Sequence, residues 1–286
     1  MKNAMTIDVE DYFHVSAFAS AIQPAQWDSY PCRVEANTDK LLGMFNDSGI
    51  KATFFVLGWV AERYPQLVRS IATQGHEVAC HGYSHRLVYD QTPAEFRAET
   101  DRSKSVLEDL VQAPVLGYRA ASYSITIKSL WALDILVELG FSYDSSIFPV
   151  RHDRYGIPGG SRAPYRLRTP LGRELVEFPL TTVELARYRL PVSGGGYFRL
   201  FPYFLTRMAL ASVNHREQRP FIFYLHPWEV DPDQPRVDTG WLSRFRHYNN
   251  LERCETRLRQ LMADFEFGTA AEVLQGLDLG AEPARG

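Results

Sequence analysis

His76-Glu77-Val78-Ala79-Cys80-His81-Gly82-Tyr83-Ser84-His85 is the stretch on which the reading of the fold turns. Residues 76–80 have the length and composition of a short strand, and Gly75 before them suits the left-handed cap of a preceding helix. The same pattern spreads in both directions. Upstream, residues 51–57 and 4–9 are strand-like. Downstream, residues 115–119 and 141–145 repeat the motif, and longer amphipathic stretches lie between them. Gly49 and Gly140 occupy the same cap position as Gly75, and Thr92-Pro93-Ala94-Glu95 combines an N-cap, a first-turn proline and a capping-box glutamate. Alternating strands and helices predict parallel βα units.

The regularity breaks after Pro149. Residues 151–173 hold six arginines among Gly, Pro and Tyr with no helical period, which reads as a long surface loop or hairpin. Strand-like 175–180, helix-like 202–214 and the apolar strand 221–225 resume the alternation. A helix over 249–264, a short strand at 265–267 and a loose tail over 280–286 complete the chain. The expected fold is α/β: a distorted (β/α) barrel of about seven strands in one domain over residues 1–286, with a C-terminal helical extension from about residue 229.

Composition narrows the function. The 286 residues are 45% hydrophobic and 23% charged, the balance of a globular protein. With 31 Lys and Arg against 34 Asp and Glu, the formal net charge of -3 gives the chain as a whole no electrostatic footprint for nucleic acid or an anionic membrane. Cys32, Cys80 and Cys254 are odd in number and widely spaced, so neither a disulfide framework nor a thiolate metal site is indicated. The most apolar stretch, residues 52–61, falls far short of the roughly 20 residues that span a bilayer. The acids at positions 8, 10 and 11 interrupt any secretory leader, so a cytoplasmic location is expected.

His81 and His85, four apart after a strand, can chelate one cation, although two loop histidines would share that spacing. Asp8-Val9-Glu10-Asp11 ends the first strand, where three acids repel one another unless a cation offsets them. Strand side chains two apart share a face, so Asp8 and Glu10 point together while Val9 packs outward, favouring Glu10 over Asp11 as ligand. Arg119 and His226 also end apolar strands. Asp8, Glu10, His81, Arg119, Asp144 and His226 would then all lie at strand C-termini, the face on which barrel enzymes assemble their sites.

With these motifs the chain resembles the polysaccharide deacetylases, NodB-like carbohydrate esterases that remove N-acetyl groups from amino sugars. The likeness runs along most of residues 4–228. It implies a divalent metal, zinc expected, held by His81, His85 and a carboxylate, with Asp8 as base, Arg119 orienting it, His226 as acid and Asp144 a further member of the site. Where the family has adjacent aspartates, Val9 follows Asp8, which leaves Glu10 or Asp11 as the metal carboxylate. Ala121 replaces a usual proline, and Tyr224 a usual leucine. A backbone N–H near Tyr123 would meet the oxyanion. Gly194-Gly195-Gly196-Tyr197-Phe198-Arg199 and His226-Pro227-Trp228-Glu229 resemble the branch associated with exopolysaccharide synthesis. The implied partner is an N-acetylated oligo- or polysaccharide, with residues 151–173 as a wall of its site. Aromatic residues of the late loops (Tyr165, Tyr197, Phe198, Trp228, Trp241 and Tyr248) are candidates for stacking on sugar. Two other readings are an amidase for a small amide or ureide, and an inactive metal-containing glycan-binding protein.

Overall fold

Strand β1, Asn3–Val9, is buried along its whole length and has neighbours on both sides. The chain is described here from a computed structural model that covers residues 1–152, 154–186 and 188–280. The strands that follow are β2 (Thr53–Val56), β3 (Glu77–Cys80), β4 (Gly117–Tyr118), β5 (Tyr143–Asp144), β6 (Tyr165–Arg168), β7 (Glu174–Glu177), β8 (Thr182–Leu185), β9 (Tyr188–Pro191), β10 (Ile222–Leu225) and β11 (Phe267–Gly268). Their order is β10-β1-β2-β3-β4-β5-β7-β6, with β11 also beside β1. Every ladder in this sheet is parallel except β6 on β7. Parallel neighbours require crossovers. Helices such as Val34–Ser48, Pro65–Thr73, Pro93–Val111 and Trp131–Glu138 supply them, and the sheet curls into an open, distorted barrel.

Side-chain parity sorts the core into two layers. Met5, Ile7 and Val9 of β1 join the cluster under the helices, while Ala4 joins Phe55, Ala79, Tyr143, Ile222 and Tyr224 in the lumen. Thr6 and Asp8 share the lumen side of Ala4, so alternation along one strand delivers a carboxylate into the barrel while its neighbours anchor the helices. The helix ends follow their sequence signals. Thr92 Oγ1 accepts from Glu95 N at 3.3 Å while Glu95 accepts from Thr92 N at 2.8 Å, and Gly49, Gly75 and Gly140 have φ of 65°, 79° and 81°.

The seven expected parallel strands and the late short strand are present, and of the loop or hairpin expected over residues 151–173 the hairpin holds at their end, where Tyr165–Arg168 pairs antiparallel with β7 around a turn at 169–172. Three details differ. A separate β8–β9 hairpin projects from the sheet; its half-exposed strands carry no clean apolar alternation. The helix expected over 249–264 is present as Leu251–Asp264, and an unexpected helix, Trp241–Tyr248, precedes it across Asn250, whose φ is 53°. The C-terminal extension contributes β11 to the main sheet as well as helices. The tail at 281–286 lies outside the described residues. Among the described residues no helix is long and apolar enough to cross a membrane.

Candidate active site

Parallel strands place all their C-termini on one rim. A pocket of about 500 Å³ opens there, lined at its base by Asp8, Glu10, His81, His85 and His226. Beyond Val9 the chain turns sharply: Glu10 N donates to Asp8 O at 3.0 Å and His14 N to Asp11 O at 3.0 Å. The turn keeps Glu10 beside Asp8 and rotates Asp11 away.

Glu10, His81 and His85 each bring one ligand atom within 4.8 Å of the others. His81 Nδ1 lies 2.8 Å from the Arg119 carbonyl, which can only accept, so Nδ1 carries the proton and Nε2 presents its lone pair. Burial, with His85 nearby, pushes His81 down to about 4, favouring the neutral imidazole that a metal requires. Glu10 Oε2 sits 2.8 Å from His85 Nε2. Burial alone would raise the Glu10 carboxyl, but His85, His226 and His81 outweigh it and hold it well below the usual range. One carboxylate and two imidazoles suit a divalent cation and leave coordination positions open.

Asp8 and His226 flank this triad, each held from behind. Arg119 is fully buried and donates through Nη1 to Asp8 Oδ1 at 2.6 Å and to Thr6 Oγ1 at 2.8 Å, and through Nη2 to Ser145 Oγ at 3.0 Å. Asp8 Oδ2 is left facing the pocket, 3.9 Å from His226 Nε2. His226 Nδ1 lies 2.7 Å from Glu229 Oε1, and its Nε2 is 3.4 Å from Glu10 Oε1. Burial opposes charge on His226, yet the Glu229 hydrogen bond and the Glu10 charge push it up to about 9. Arg199 Nε donates to Glu229 Oε2 at 2.6 Å. Burial would raise Glu229, but Arg199 and His226 hold it at about 2. A buried chain Arg199–Glu229–His226 thus keeps a proton on the imidazole.

The remaining expected residues are distributed differently. Asp11 does not face the triad: its Oδ2 accepts from Arg33 N at 2.5 Å, Val34 N at 2.8 Å and Cys32 Sγ at 3.0 Å, fastening the start of helix Val34–Ser48. Asp144, expected in the site, does not line the pocket; its carboxyl takes Ser146 Oγ at 2.5 Å and faces Glu177. Tyr123 lines the pocket, but its N–H already donates to Ala120 O at 3.0 Å, so it is not a free oxyanion donor. Ser122 and Tyr123 both have positive φ, 49° and 56°. Two consecutive non-glycine residues there cost energy that the surrounding contacts must hold. Of residues 151–173, His152, Arg154 and Tyr155 reach the pocket, whereas Arg162 and Arg173 pair with Glu217 and Glu138 at 2.7 Å each. Tyr197 and Trp228 line the pocket; Tyr165 and Phe198 are core.

Three contributors carried no assigned role in the sequence reading. Glu229 and Arg199 lay within quoted motifs, and the i,i+3 spacing of His226 and Glu229 was their only local signal. His14 is buried beneath the site and accepts from Asp11 N at 2.8 Å through Nδ1. Burial pushes it down to about 3, and the edge-on rings of Trp27 and Trp59 surround it at 4.3 and 4.9 Å. The glycine run has a steric reason: a Cβ on Gly194 would lie 1.9 Å from Tyr224 O, and one on Gly195 2.8 Å from the Tyr224 ring. Those glycines make room for tyrosine at the pocket wall.

Residues 26–143 match the family model of polysaccharide deacetylases, and residues 145–275 match a domain of unknown function, DUF3473. The chain is similar to a peptidoglycan-N-acetylglucosamine deacetylase of Bacillus cereus, 36% identical over 73 residues, 26% of each chain. It is also similar to a peptidoglycan deacetylase of Helicobacter pylori, 29% identical over 113 residues, 40% of this chain and 38% of the relative. The matches therefore span well under half of either relative. A Mycobacterium smegmatis structure assigned to the polysaccharide deacetylases superposes with a TM-score of 0.64 at 21% identity, over 98% of this chain and 92% of that one, which speaks to the fold. The chain thus carries a domain of the polysaccharide deacetylase family.

Proposed function

We propose that this protein is a metal-dependent hydrolase that removes N-acetyl groups from amino sugars of an oligo- or exopolysaccharide. One observation carries the reading: a base, a proton-holding imidazole and a three-ligand metal set meet at the base of one pocket, with the base held by buried Arg119 and the acid held by Glu229, itself fixed by buried Arg199. A bound zinc ion, the metal expected here, would act as a Lewis acid and lower the pKa of a ligated water. The residues then divide the proton work. Asp8 Oδ2, free because Arg119 engages Oδ1, takes a proton from the attacking water. His226 holds its proton on Nε2, because Glu229 accepts at Nδ1, and delivers it to the departing amine nitrogen. With a cation held by Glu10, part of the attraction that charges His226 would be cancelled, and Glu229 and Asp8 would still favour its proton.

The family match and the DUF3473 segment support the sugar class and the exopolysaccharide branch. Acetate release from acetylated chito-oligosaccharides by the zinc-loaded chain tests the proposal. Asp8→Asn and His226→Ala should keep one metal per chain while turnover falls about 100-fold or more. Turnover of small ureides with none of acetylated sugars would overturn it in favour of an amidase. Glycan binding by the loaded chain without turnover of either would make it a binding protein.

A further inference from the structure

We propose that the face built by helices Tyr203–His215 and Trp241–Tyr248 docks on an anionic phospholipid bilayer, with the pocket mouth at the membrane surface. Helix Trp241–Tyr248 reads Trp-Leu-Ser-Arg-Phe-Arg-His-Tyr and contains no acid. Trp241 is 78% exposed and Phe245 51%, where a helix packed only on its own protein would turn such side chains inward. Helix Tyr203–His215 also lacks acids and presents Phe204 and Met208, 60% and 64% exposed and four residues apart on one side. Just ahead of Tyr203, Arg199 of the short helix Gly195–Leu200 donates through Nη1 and Nη2 to the carbonyls of His247 at 2.8 Å and Arg246 at 3.0 Å, which ties that helix to Trp241–Tyr248. Leu200, just before Tyr203, lines the active-site pocket together with Leu242 and Phe245, so the apolar face runs into the pocket rim.

Charge selects the occupant. Arg207, Arg244 and Arg246 are exposed among these apolar side chains. Arg207 pairs with Asp264 at 3.1 Å and Arg244 loosely with the fully exposed Asp238 at 3.9 Å; Arg246 has no ion pair among the described residues. Beside Phe245, Arg236 and Arg244 line an open cleft of about 410 Å³ with Tyr248 and Asn249. Large apolar and aromatic side chains interleaved with arginines, on helices that carry no acid of their own, are the make-up of an interfacial helix, and a cleft with two guanidinium groups suits a lipid phosphate. A second copy fits less well, since two-fold pairing would set the same arginines against each other. The bilayer inference stands on surface chemistry and does not depend on the reaction in the pocket.

Flotation of the full chain with phosphatidylglycerol-containing vesicles tests it, because the readout is partitioning and not turnover. The chain should float with anionic vesicles, much less with pure phosphatidylcholine, and less again in high salt. The triple substitution Trp241→Ser, Leu242→Ser, Phe245→Ser should cut partitioning at least tenfold. As a separate pair on the other helix, Phe204→Ser with Met208→Ser should also lower it, so a folding defect in one variant leaves the other decisive. Arg236→Gln with Arg244→Gln should cost about fivefold per arginine on anionic vesicles. Failure of the parent to float, parent-like flotation of both apolar variants, or a dimer in solution that the triple substitution disperses without vesicle binding would each overturn the proposal.

Discussion

Glu229 fixes which nitrogen of His226 carries the transferable proton, and Arg199 fixes Glu229. Glu229→Gln keeps the shape and an acceptor but removes the charge that holds the imidazole protonated, so kcat should fall about 100-fold while KM and bound metal stay unchanged. The substitution also leaves the buried Arg199 unpaired, at a cost of about 3–5 kcal/mol. Combining it with Arg199→Met should recover stability without recovering turnover. Recovery of both would reduce Glu229 to a structural role. A second test separates the two acids after Val9. Glu10→Gln should lose the metal, whereas Asp11→Asn should keep it and lose about 1–2 kcal/mol of stability, because Asp11 fastens the backbone at Arg33 and Val34. Metal titration and denaturant unfolding of both variants decide the matter. Period-two reasoning favoured Glu10 because Val9 is buried against the helices. The same reasoning could not find His14, whose place depends on a turn and on two tryptophans distant in sequence.

At the scale of elements, β5 and β7 place the buried Asp144 directly opposite the buried Glu177 in a parallel ladder. Burial raises both carboxyls, and their mutual repulsion raises Glu177 further. A folded-state carboxyl pKa above the unfolded one means that the native chain binds protons more tightly. The pair's stabilising contribution is therefore complete below about pH 4 and is lost as pH rises through the folded values. Glu177→Gln can still accept from Ile147 N and would donate to Asp144, so it should stabilise the protein by about 1–2 kcal/mol at pH 8. That advantage should shrink toward pH 4. An unchanged or lower Tm at pH 8 would contradict this account. Asp144 was expected at the active site because strand-end position alone cannot tell a side chain aimed at the pocket from one aimed at the next strand. The central strands were readable because they are buried on both faces and bounded by glycine caps. Strand β6 and the β8–β9 hairpin were not, because edge strands with exposed arginines and glutamates owe their pairing to partners remote from local pattern.

For the whole molecule, the sheet ignores the boundary between the two matched segments. Strand β1, ahead of both, pairs with β10 and β11 of the second segment and with β2 of the first, and β5 of the first pairs with β7 of the second. The candidate site is divided in the same way: His81, His85 and Arg119 come from residues 26–143, His226, Glu229 and Arg199 from residues 145–275, and Asp8 and Glu10 precede both. A chain cut near residue 144 would expose β1 along the edge that β10 covers and leave the Asp8 side of the lumen without Tyr224. We propose that residues 1–280 unfold as one unit. Tryptophan fluorescence should report chiefly on Trp27, Trp59, Trp131, Trp228 and Trp241, and far-ultraviolet dichroism on the helices throughout, so the two urea curves should coincide. Addition of zinc should move both together to higher denaturant, because a ligand that binds only the native state stabilises every part coupled to its site. Two separated transitions, with only the earlier or the later one shifted by zinc, would show that the segments fold independently and that the site is assembled by docking between them.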